Sequence, residues 1–425
     1  MKHSLTALAV VLAGAAVWAQ QQPKKAPCDP ANGGLTLPAG FCAAIAADNL
    51  GLARHIAISP RGDLYVMLDE ERQGGGGVAL RDGDGDGRYE RQAAFGAGLH
   101  GTGIAWRNDD LYVGADDRIV RYRMAGSELV PAGQPDVIVD GFPQQRSHPT
   151  KPIAFGESGE MYVAVGAPSN ACQNPDRRAE SPGQNPCALL ELHGGIWKYD
   201  ANRPGQKHAA DKRIATGIRH DVGMAWNPVA RALYAVQNGR DGLDTLWPKR
   251  FTAEQNANAT GEELQRVRDG SNFGWPYCYF DVLQKKRVLA PEYGGDGRQE
   301  GDCAKYDKPI ATFPAHNAPL SVLFYSGTQF PAEYRNGAFI AFHGSWNRAP
   351  FPMDGYNVRF VPFKADSPAG ADRIFASGFP GKAQIMRPND AAYRPVGLAQ
   401  DRDGSILVSD DVKGRIWRIS YTGPR

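Results

Sequence analysis

The sequence predicts an all-β protein, specifically a six-bladed β-propeller with long loop insertions. A pattern of short apolar strands, often of the Leu-Tyr-Val kind, recurs six times and is separated by turns rich in Gly, Asp and Asn. Gly (50) and Pro (31) are abundant among the 425 residues, whereas apolar patterns of helical period are scarce. Each propeller blade buries its faces only against neighbouring blades, so the fold requires such a repeat.

The six copies follow one another along the chain. Each opens at or just before a polar His or Arg, continues into a short strand and, after a turn, enters a second strand. The copies cover residues 54–66, 100–122, 148–199, 219–235, 316–360 and 393–419. The intervals between Tyr65, Tyr112 and Tyr162 are close to the length of one blade, which a two-sheet sandwich, the alternative all-β fold, does not predict.

The first residues predict export. Lys2 and His3 precede an apolar run from Leu5 to Val17, and small residues then end at Ala19. We therefore expect a signal peptide over residues 1–19, a single propeller domain over 20–425, and a periplasmic or secreted location. The apolar run is shorter than the roughly 20 residues of a membrane-spanning helix, so no membrane span is expected. An uncleaved amphipathic anchor is the alternative, which the lack of a polar face disfavours.

The cysteines predict three disulfide bonds. The six cysteines fall into three couples that are local in sequence, namely Cys28 with Cys42, Cys172 with Cys187, and Cys278 with Cys303. An exported chain can keep such couples oxidised. No CxxC or CxxCH motif occurs, which argues against a zinc ribbon, a thioredoxin-like site and a fused cytochrome c. Two of the couples fall in the large insertions, around 166–193 and 240–312.

A ring of basic side chains is predicted at one mouth of the central channel. Polar residues open the copies in a common register, and equivalent loops of a propeller converge on one end of the channel. The residues concerned are His55, His100, His148, Arg219, His220, His316 and Arg394. Because Arg pairs with carboxylates and His titrates near neutrality, such a pocket suits an anionic cofactor and a proton-transfer step.

Seven ordered motifs resemble a known family. They are LPAGF (37–41), GAPSNAC (166–172), GIR (217–219), GRD (239–241), FGWPYC (273–278), HGSWNR (343–348) and YRPVGL (393–398). Across nearly the whole mature chain the sequence resembles the quinoprotein sugar dehydrogenases, most closely the sorbosone dehydrogenase-like branch. The resemblance implies a six-bladed propeller, in agreement with the repeat count.

The resemblance also implies a cofactor and a reaction. In the family, pyrroloquinoline quinone (PQQ), which bears three carboxylates and an ortho-quinone, is held with calcium, a Lewis acid that polarises the reactive carbonyl. The expected reaction is oxidation of an aldose sugar or an aldehyde. Electrons would then leave to an external acceptor such as a c-type cytochrome.

Individual roles follow from the same resemblance. His148 is expected to be the general base, and Arg219 is expected to stabilise charge beside the quinone oxygens. The further residues expected to contact the cofactor are His220, Lys151, Trp346, Arg348 and Arg394. His55, His100 and His316 are expected to face the substrate.

Two calcium sites are expected. The resemblance assigns the main-chain carbonyls of Gly239 and Arg240 to the cofactor calcium. Separately, Asp82, Asp84 and Asp86 alternate with glycines like the first half of an EF-hand loop. Its twelfth position holds Ala93 rather than an acid, so Glu90 would complete the site. A solvated hairpin turn is the alternative.

Three residues depart from the family pattern. His220 stands where relatives usually have Asn, Asn238 where they usually have His, and Asn317 where many have an aromatic residue. His220 beside the quinone would affect its reduction or the choice of substrate.

Other functions remain open at this stage. A calcium-dependent lactonase of the six-bladed type would hold its metal on Glu, Asp and Asn side chains, and carboxylates are scarce at the blade-opening positions. A non-catalytic propeller could instead use the His and Arg ring to bind an anion. The net charge of +2 gives no basic field for nucleic acid.

Overall fold

The computed structural model describes residues 27–124 and 126–424. The expected signal peptide over 1–19 lies outside them. Six mostly antiparallel sheets form the blades of a propeller. The first strand of each blade contacts the first strands of both neighbouring blades, so six inner strands close a ring around a central channel. The predicted six-bladed propeller is confirmed.

The first two blades follow the predicted repeat, and one strand precedes them. Strand β1 (Phe41–Ala47) precedes the blades. Blade 1 consists of β2 (Ala53–Ile58), β3 (Leu64–Arg72), β4 (Gly75–Arg81) and β5 (Arg91–Phe95). Blade 2 consists of β6 (Gly103–Arg107), β7 (Asp110–Gly114), β8 (Arg118–Arg123) and β9 (Asp136–Asp140).

The chain segments that form blades 3 and 4 also contain short extra strands. Blade 3 consists of β10 (Ile153–Phe155), β11 (Glu160–Val165), β12 (Gly195–Asp200) and, beyond the short β13 (Gln206–Lys207), β14 (Arg213–Thr216). Blade 4 begins with β15 (Asp221–Asn227), β16 (Ala232–Gln237) and β17 (Glu262–Val267). After β18 (Ser271–Asn272) and a hairpin of β19 (Cys278–Asp281) and β20 (Lys286–Leu289), it ends with β21 (Ala311–Phe313). Strands β13 and β18 pair in parallel with β9 and β14.

Blades 5 and 6 complete the ring. Blade 5 consists of β22 (Pro319–Phe324), β23 (Gly337–Phe342), β24 (Asn357–Lys364), the short β25 (Ser367–Pro368) and β26 (Arg373–Ala376). Blade 6 consists of β27 (Pro395–Gln400), β28 (Ile406–Asp410) and β29 (Ile416–Tyr421). Strand β1 pairs antiparallel with β29 and supplies the fourth strand of blade 6. Phe41 at its start packs edge-on against Phe330 and Phe375 of blade 5.

The hydrophobic core lies between adjacent blades. Successive side chains of a strand point to opposite faces, so one strand serves two interfaces. In β3, Leu64, Val66 and Leu68 pack towards blade 6, whereas Tyr65 and Met67 pack towards blade 2. Because every blade depends on both neighbours, the core fixes the positions of the loops at the channel mouth.

The insertions are tied by the predicted disulfide bonds. All three expected pairs are present, joining Cys28 with Cys42, Cys172 with Cys187, and Cys278 with Cys303. Two α-helices, α1 (Leu243–Leu246) and α2 (Ala253–Ala259), lie in the second insertion. Short 3-10 segments occur at Pro30–Gly34, Ala188–Glu191, Ala210–Lys212, Pro291–Tyr293, Gly301–Lys305, Ala332–Tyr334 and Pro388–Asp390. No helix in the described part of the chain has the length and apolar character of a membrane span.

Candidate active site at the channel mouth

A cavity of about 240 Å³ opens at one mouth of the channel. Its basic lining residues are Arg54, His148, Arg177, Arg219, His220, His316 and His343. Two carboxylates, Asp241 and Glu262, also line it, together with the exposed ring of Trp346. The lining residues come from segments at or just before the inner strands, from the loops after β16 and β23, and from the insertions. The propeller core and its loops together therefore position the site.

His148 is held in one tautomer. Its Nδ1 lies 2.7 Å from the carbonyl oxygen of Ala167, which can only accept, so Nδ1 carries the proton and Nε2 keeps its lone pair. The ring stacks on His220 with a centroid distance of 4.0 Å. Burial, together with the nearby charge of Arg219, lowers the pKa of His148 to about 3. The imidazole is therefore neutral at pH 7 and able to accept a proton.

His220 contributes a second neutral imidazole. Burial, with the neighbouring His148 and Arg219, lowers its pKa well below the ordinary value. Its Nε2 is buried and has no hydrogen-bond partner within the described chain. An orphaned nitrogen in this cavity can bond a ligand group placed beside it.

Arg219 is the centre of a buried hydrogen-bond network. Its guanidinium donates to Asp241 Oδ2 (2.5 Å), Asn170 Oδ1 (3.1 Å) and the Gly239 carbonyl oxygen (2.8 Å). Asp241 also accepts from Arg177 (3.1 Å). Although burial opposes ionisation, the two guanidinium groups hold the pKa of Asp241 down to about 2. These hydrogen bonds fix the direction of Arg219; burial lowers the pKa of its guanidinium, and the charge of Asp241 opposes that shift.

A corner rich in oxygen atoms adjoins Gly239. Glu262 accepts from the backbone N–H of Gly239 (2.7 Å) and of Ala318 (3.1 Å). Burial raises the pKa of Glu262 to about 8. The amide oxygen of Asn238 is buried and unpaired among the described residues. Carboxylate, amide and carbonyl oxygens are the ligands that calcium prefers, so this corner fits a calcium ion bound near Gly239.

The structure adds a histidine–aspartate pair. His343 Nε2 lies 2.9 and 3.0 Å from the two carboxylate oxygens of Asp411, and Arg54 donates to Asp411 at 2.6 Å. Despite burial, His343 and Arg54 keep the pKa of Asp411 below its ordinary value. Sequence reasoning used His343 only as part of a motif and missed Asp411, because the two lie 68 residues apart. Glu262 and Asp241 were likewise not assigned.

The structure brings together most but not all of the predicted ring. His148, Arg219, His220 and His316 line the mouth cavity, as do Gly239 and Trp346. His316 Nε2 donates to the Asn256 carbonyl oxygen at 2.6 Å. Arg394 lies just behind the lining and donates to the carbonyl oxygens of His343 (3.1 Å) and Gly344 (2.7 Å).

Two predicted ring members lie elsewhere, which corrects the expectation of one shared pocket. His55 belongs to β2 itself, so it faces a narrower cavity of about 80 Å³ within the channel and donates to the Leu320 carbonyl oxygen at 2.7 Å. His100 precedes β6 by three residues and lines a separate cavity of about 600 Å³ beside blade 2. The position of His100 in the repeat did not predict which of the two cavities its side chain lines.

The side chains of three further residues that were predicted to contact the cofactor or its calcium make other interactions. Lys151 is fully buried, donates to the Pro149 carbonyl oxygen and is absent from the mouth lining. Arg348 lines another cavity, where it donates to the Ala257 carbonyl oxygen and to Asn258. The side chain of Arg240 forms a buried ion pair with Glu292 at 2.5 Å, which leaves its main chain as the predicted ligand.

The acidic loop of blade 1 brings four carboxylate side chains close together. One ligand oxygen each from Asp82, Asp84, Asp86 and Glu90 can lie within 4.8 Å of one another. Glu90 also accepts from the backbone N–H of Gly83 at 3.0 Å. This arrangement is compatible with the expected second calcium, which stays a prediction.

The fold and the site define a six-bladed propeller with a compact, charge-rich pocket at its channel mouth. Solved structures share this architecture. The Trichoderma reesei enzyme of carbohydrate-active family AA12 superposes with a TM-score of 0.73 at 21% identity, covering 91% of this chain and 98% of that chain. The PQQ domain of Coprinopsis cinerea pyranose dehydrogenase gives a TM-score of 0.73 at 20% identity over 93% and 100%.

The chain belongs to the TrAA12-like family, whose model matches residues 35–422. A PQQ-dependent sugar dehydrogenase of Hypocrea jecorina is 27% identical over 62% of this chain and 60% of its own length. A PQQ-dependent pyranose dehydrogenase of Coprinopsis cinerea is 25% identical over 50% of this chain and 32% of its own length. An uncharacterized Borreliella burgdorferi protein is 31% identical over 51% and 50%. The matches thus span between a third and three fifths of these relatives.

Proposed function

We propose that this protein is a PQQ- and calcium-dependent dehydrogenase that oxidises an aldose sugar or an aldehyde at the channel mouth. The main observation is His148, whose Nδ1 donates to the Ala167 carbonyl oxygen and whose lone pair at Nε2 is kept in a cavity shared with Arg219. The PQQ-dependent sugar dehydrogenase of Hypocrea jecorina and the PQQ-dependent pyranose dehydrogenase of Coprinopsis cinerea support the same activity.

The residues present fit the proposed cofactor. Arginines and neutral histidines surround the cavity, and His220 Nε2 and Asn238 Oδ1 are buried polar atoms without partners in the described chain. Arg219 would face the quinone oxygens, and the oxygen atoms around Gly239 would hold the calcium. When bound, PQQ supplies the hydride acceptor and calcium polarises its carbonyl.

The chain itself supplies orientation and proton transfer. His148 Nε2 would accept the proton of the substrate hydroxyl while the carbon that bears this hydroxyl loses its hydrogen as hydride. The low pKa of His148 keeps its lone pair available across the neutral range. Arg219 is held in position because its guanidinium donates hydrogen bonds to Asp241 and Asn170. Trp346, 55% exposed on the cavity rim, would shield the reacting groups from water.

The lactonase alternative has a specific difficulty. Such a site needs Asp, Glu and Asn side chains free to ligate a metal. Both carboxylate oxygens of Asp241 are already engaged, Oδ2 by Arg219 and Arg177 and Oδ1 by Asn347 at 2.8 Å. Asp241 is therefore not free to ligate a lactonase metal, which counts against that alternative.

Electron transfer and location complete the proposal. We propose that electrons pass to an external acceptor, such as a c-type cytochrome. Three disulfide bonds suit an oxidising compartment, in support of an exported single-domain protein.

Reconstitution tests the proposal. Purified apoprotein would be mixed with glucose, sorbosone and simple aldehydes, with and without calcium plus PQQ, while dye reduction and quinone binding are followed. We expect activity only after reconstitution, loss of turnover but not of quinone binding in His148→Ala, and retained activity in His193→Ala, a histidine outside the cavity. Absence of quinone binding and of dye reduction would refute the dehydrogenase and favour the lactonase or a binding propeller.

A further inference from the structure

We propose that Gln145 is a positioning residue that holds His148 in its reactive orientation. The inference rests on the proposed function for its effect on turnover, but its structural basis is independent of the cofactor. Gln145 precedes His148 by three residues, does not line the mouth cavity and lines the larger cavity beside blade 2.

The side-chain amide of Gln145 clamps the backbone of the His148 loop. Its Nε2 donates to the carbonyl oxygens of Ser147 (2.8 Å), His148 (2.7 Å) and Gly166 (3.0 Å). Because an amide nitrogen carries two hydrogens, one of them is shared between two acceptors. The Oε1 atom is buried and makes no bond to the described residues, so all hydrogen bonds of this side chain serve the loop.

The clamp connects both supports of the imidazole. Gly166 immediately precedes Ala167, whose carbonyl oxygen accepts from His148 Nδ1 at 2.7 Å. Gln145 therefore ties the backbone that carries the ring to the segment that fixes its tautomer. Gly166 permits this approach, since a Cβ at that position would lie 2.7 Å from the Cβ of His148.

The conformation of His148 explains why a clamp is needed. Its φ of 55° lies in the left-handed region, which non-glycine residues rarely adopt unless the surroundings impose it. Lys151, fully buried, gives the loop a second anchor by donating to the carbonyl oxygen of Pro149. Removing the Gln145 amide releases the carbonyls of both Ser147 and His148 and allows the ring to move.

A displaced base lowers turnover more than binding. Misplacement of a catalytic group by about 1 Å can cost on the order of 100-fold in rate. Gln145→Met keeps the side-chain length but removes the donor. Gln144→Met is the matched control, because the exposed Gln144 lines the same cavity and its side chain has no hydrogen bond to the described residues. We expect kcat to fall about 10- to 100-fold in Gln145→Met, with KM and quinone affinity within about twofold.

A second measurement needs neither cofactor nor turnover. In apoprotein labelled with ¹⁵N-histidine, the Nδ1–H signal of His148, assigned by its loss in His148→Gln, reports the fixed tautomer. We expect the signal to persist in Gln144→Met and to be lost or averaged in Gln145→Met. Gln145→Glu, which presents an acceptor to the same carbonyls, should behave like Gln145→Met and serves as a second variant if that protein does not fold.

The outcomes separate this inference from the proposed function. An unchanged His148 signal in both Gln145 variants would overturn the positioning role, even if kcat fell. A kcat equal to that of Gln144→Met would overturn it as well. If the wild-type protein reduces no dye, the proposed function fails, but the nuclear magnetic resonance result still decides whether Gln145 orders His148.

Discussion

Replacing Asp241 by Asn should lower the free energy of unfolding, because the substitution leaves the buried charges of Arg219 and Arg177 without a counter-charge. Asp241 is buried, with 7% of the residue exposed. Its carboxylate accepts hydrogen bonds from two guanidinium groups, that of Arg219 at 2.5 Å and that of Arg177 at 3.1 Å. An amide of the same shape cannot neutralise them. Removing one partner of a buried ion pair typically costs about 3–5 kcal/mol.

The pKa gives a second measure of the same interaction. The pKa of Asp241 is lowered from 3.8 to about 2. At 1.36 kcal/mol for each pKa unit, the ionised carboxylate contributes about 2 kcal/mol to the free energy of unfolding. We therefore expect a loss of about 2–4 kcal/mol at pH 7. With an unfolding entropy of about 2.1 cal/mol/K for each of roughly 400 residues, Tm should fall by about 2–5 °C.

The pH dependence has a definite sign. A carboxylate with a lowered folded-state pKa stabilises fully above its unfolded pKa of about 3.9, and this stabilisation is lost as the pH falls through about 2. The difference between wild type and Asp241→Asn should thus shrink between about pH 4 and 2. Urea and thermal unfolding of both apoproteins would measure it, with Asp269→Asn as control, since its ion pair with Lys198 (2.9 Å) is at the surface. An Asp241→Asn protein as stable as that control at pH 7 would refute the reasoning.

Three further predictions concern other parts of the chain. Burial raises the pKa of Glu262 to about 8, so ionising this carboxyl destabilises the folded wild type increasingly as the pH rises from about 4.5 through 8. Because Gln does not ionise, Tm of the Glu262→Gln apoprotein should rise relative to that of wild type from pH 5 to pH 9. A difference in Tm that does not change with pH would contradict this. If the blade 1 loop binds calcium, added calcium should raise Tm less in Asp82→Asn than in wild type, and an equal rise would exclude the loop. Replacing Cys172 and Cys187 together by Ser should lower the free energy of unfolding by about 2–4 kcal/mol in urea titrations. It should also weaken quinone binding, because Asn170 in that insertion supports Arg219; unchanged affinity would separate the insertion from the site.

Local patterns in the sequence were enough for the blades. The strands around Tyr65, Tyr112 and Tyr162 repeat because every blade must bury both of its faces against its neighbours. Each strand is therefore apolar on both faces, and polar turns connect the strands. The cysteine couples were equally readable, since each closes a short loop. The common register of the blade-opening residues predicted that His148, Arg219 and His220 share one pocket, and all three line the mouth cavity.

Closure and much of the site depended on the tertiary structure. Strand β1 joins blade 6 from the opposite end of the described chain, a pairing for which no sequence-local pattern exists. Lys151 and Arg348 carry charges suited to an anionic cofactor, but their side chains donate to nearby carbonyl oxygens and do not line the mouth cavity. His343 and Asp411 meet only because blades 5 and 6 are adjacent. The apolar periodicity of each segment reflects which of its side chains are buried, so the sequence by itself was sufficient to predict the strands of the blades. The packing of the blades decided which polar groups meet, because hydrogen bonds and ion pairs depend on distances in space rather than along the chain.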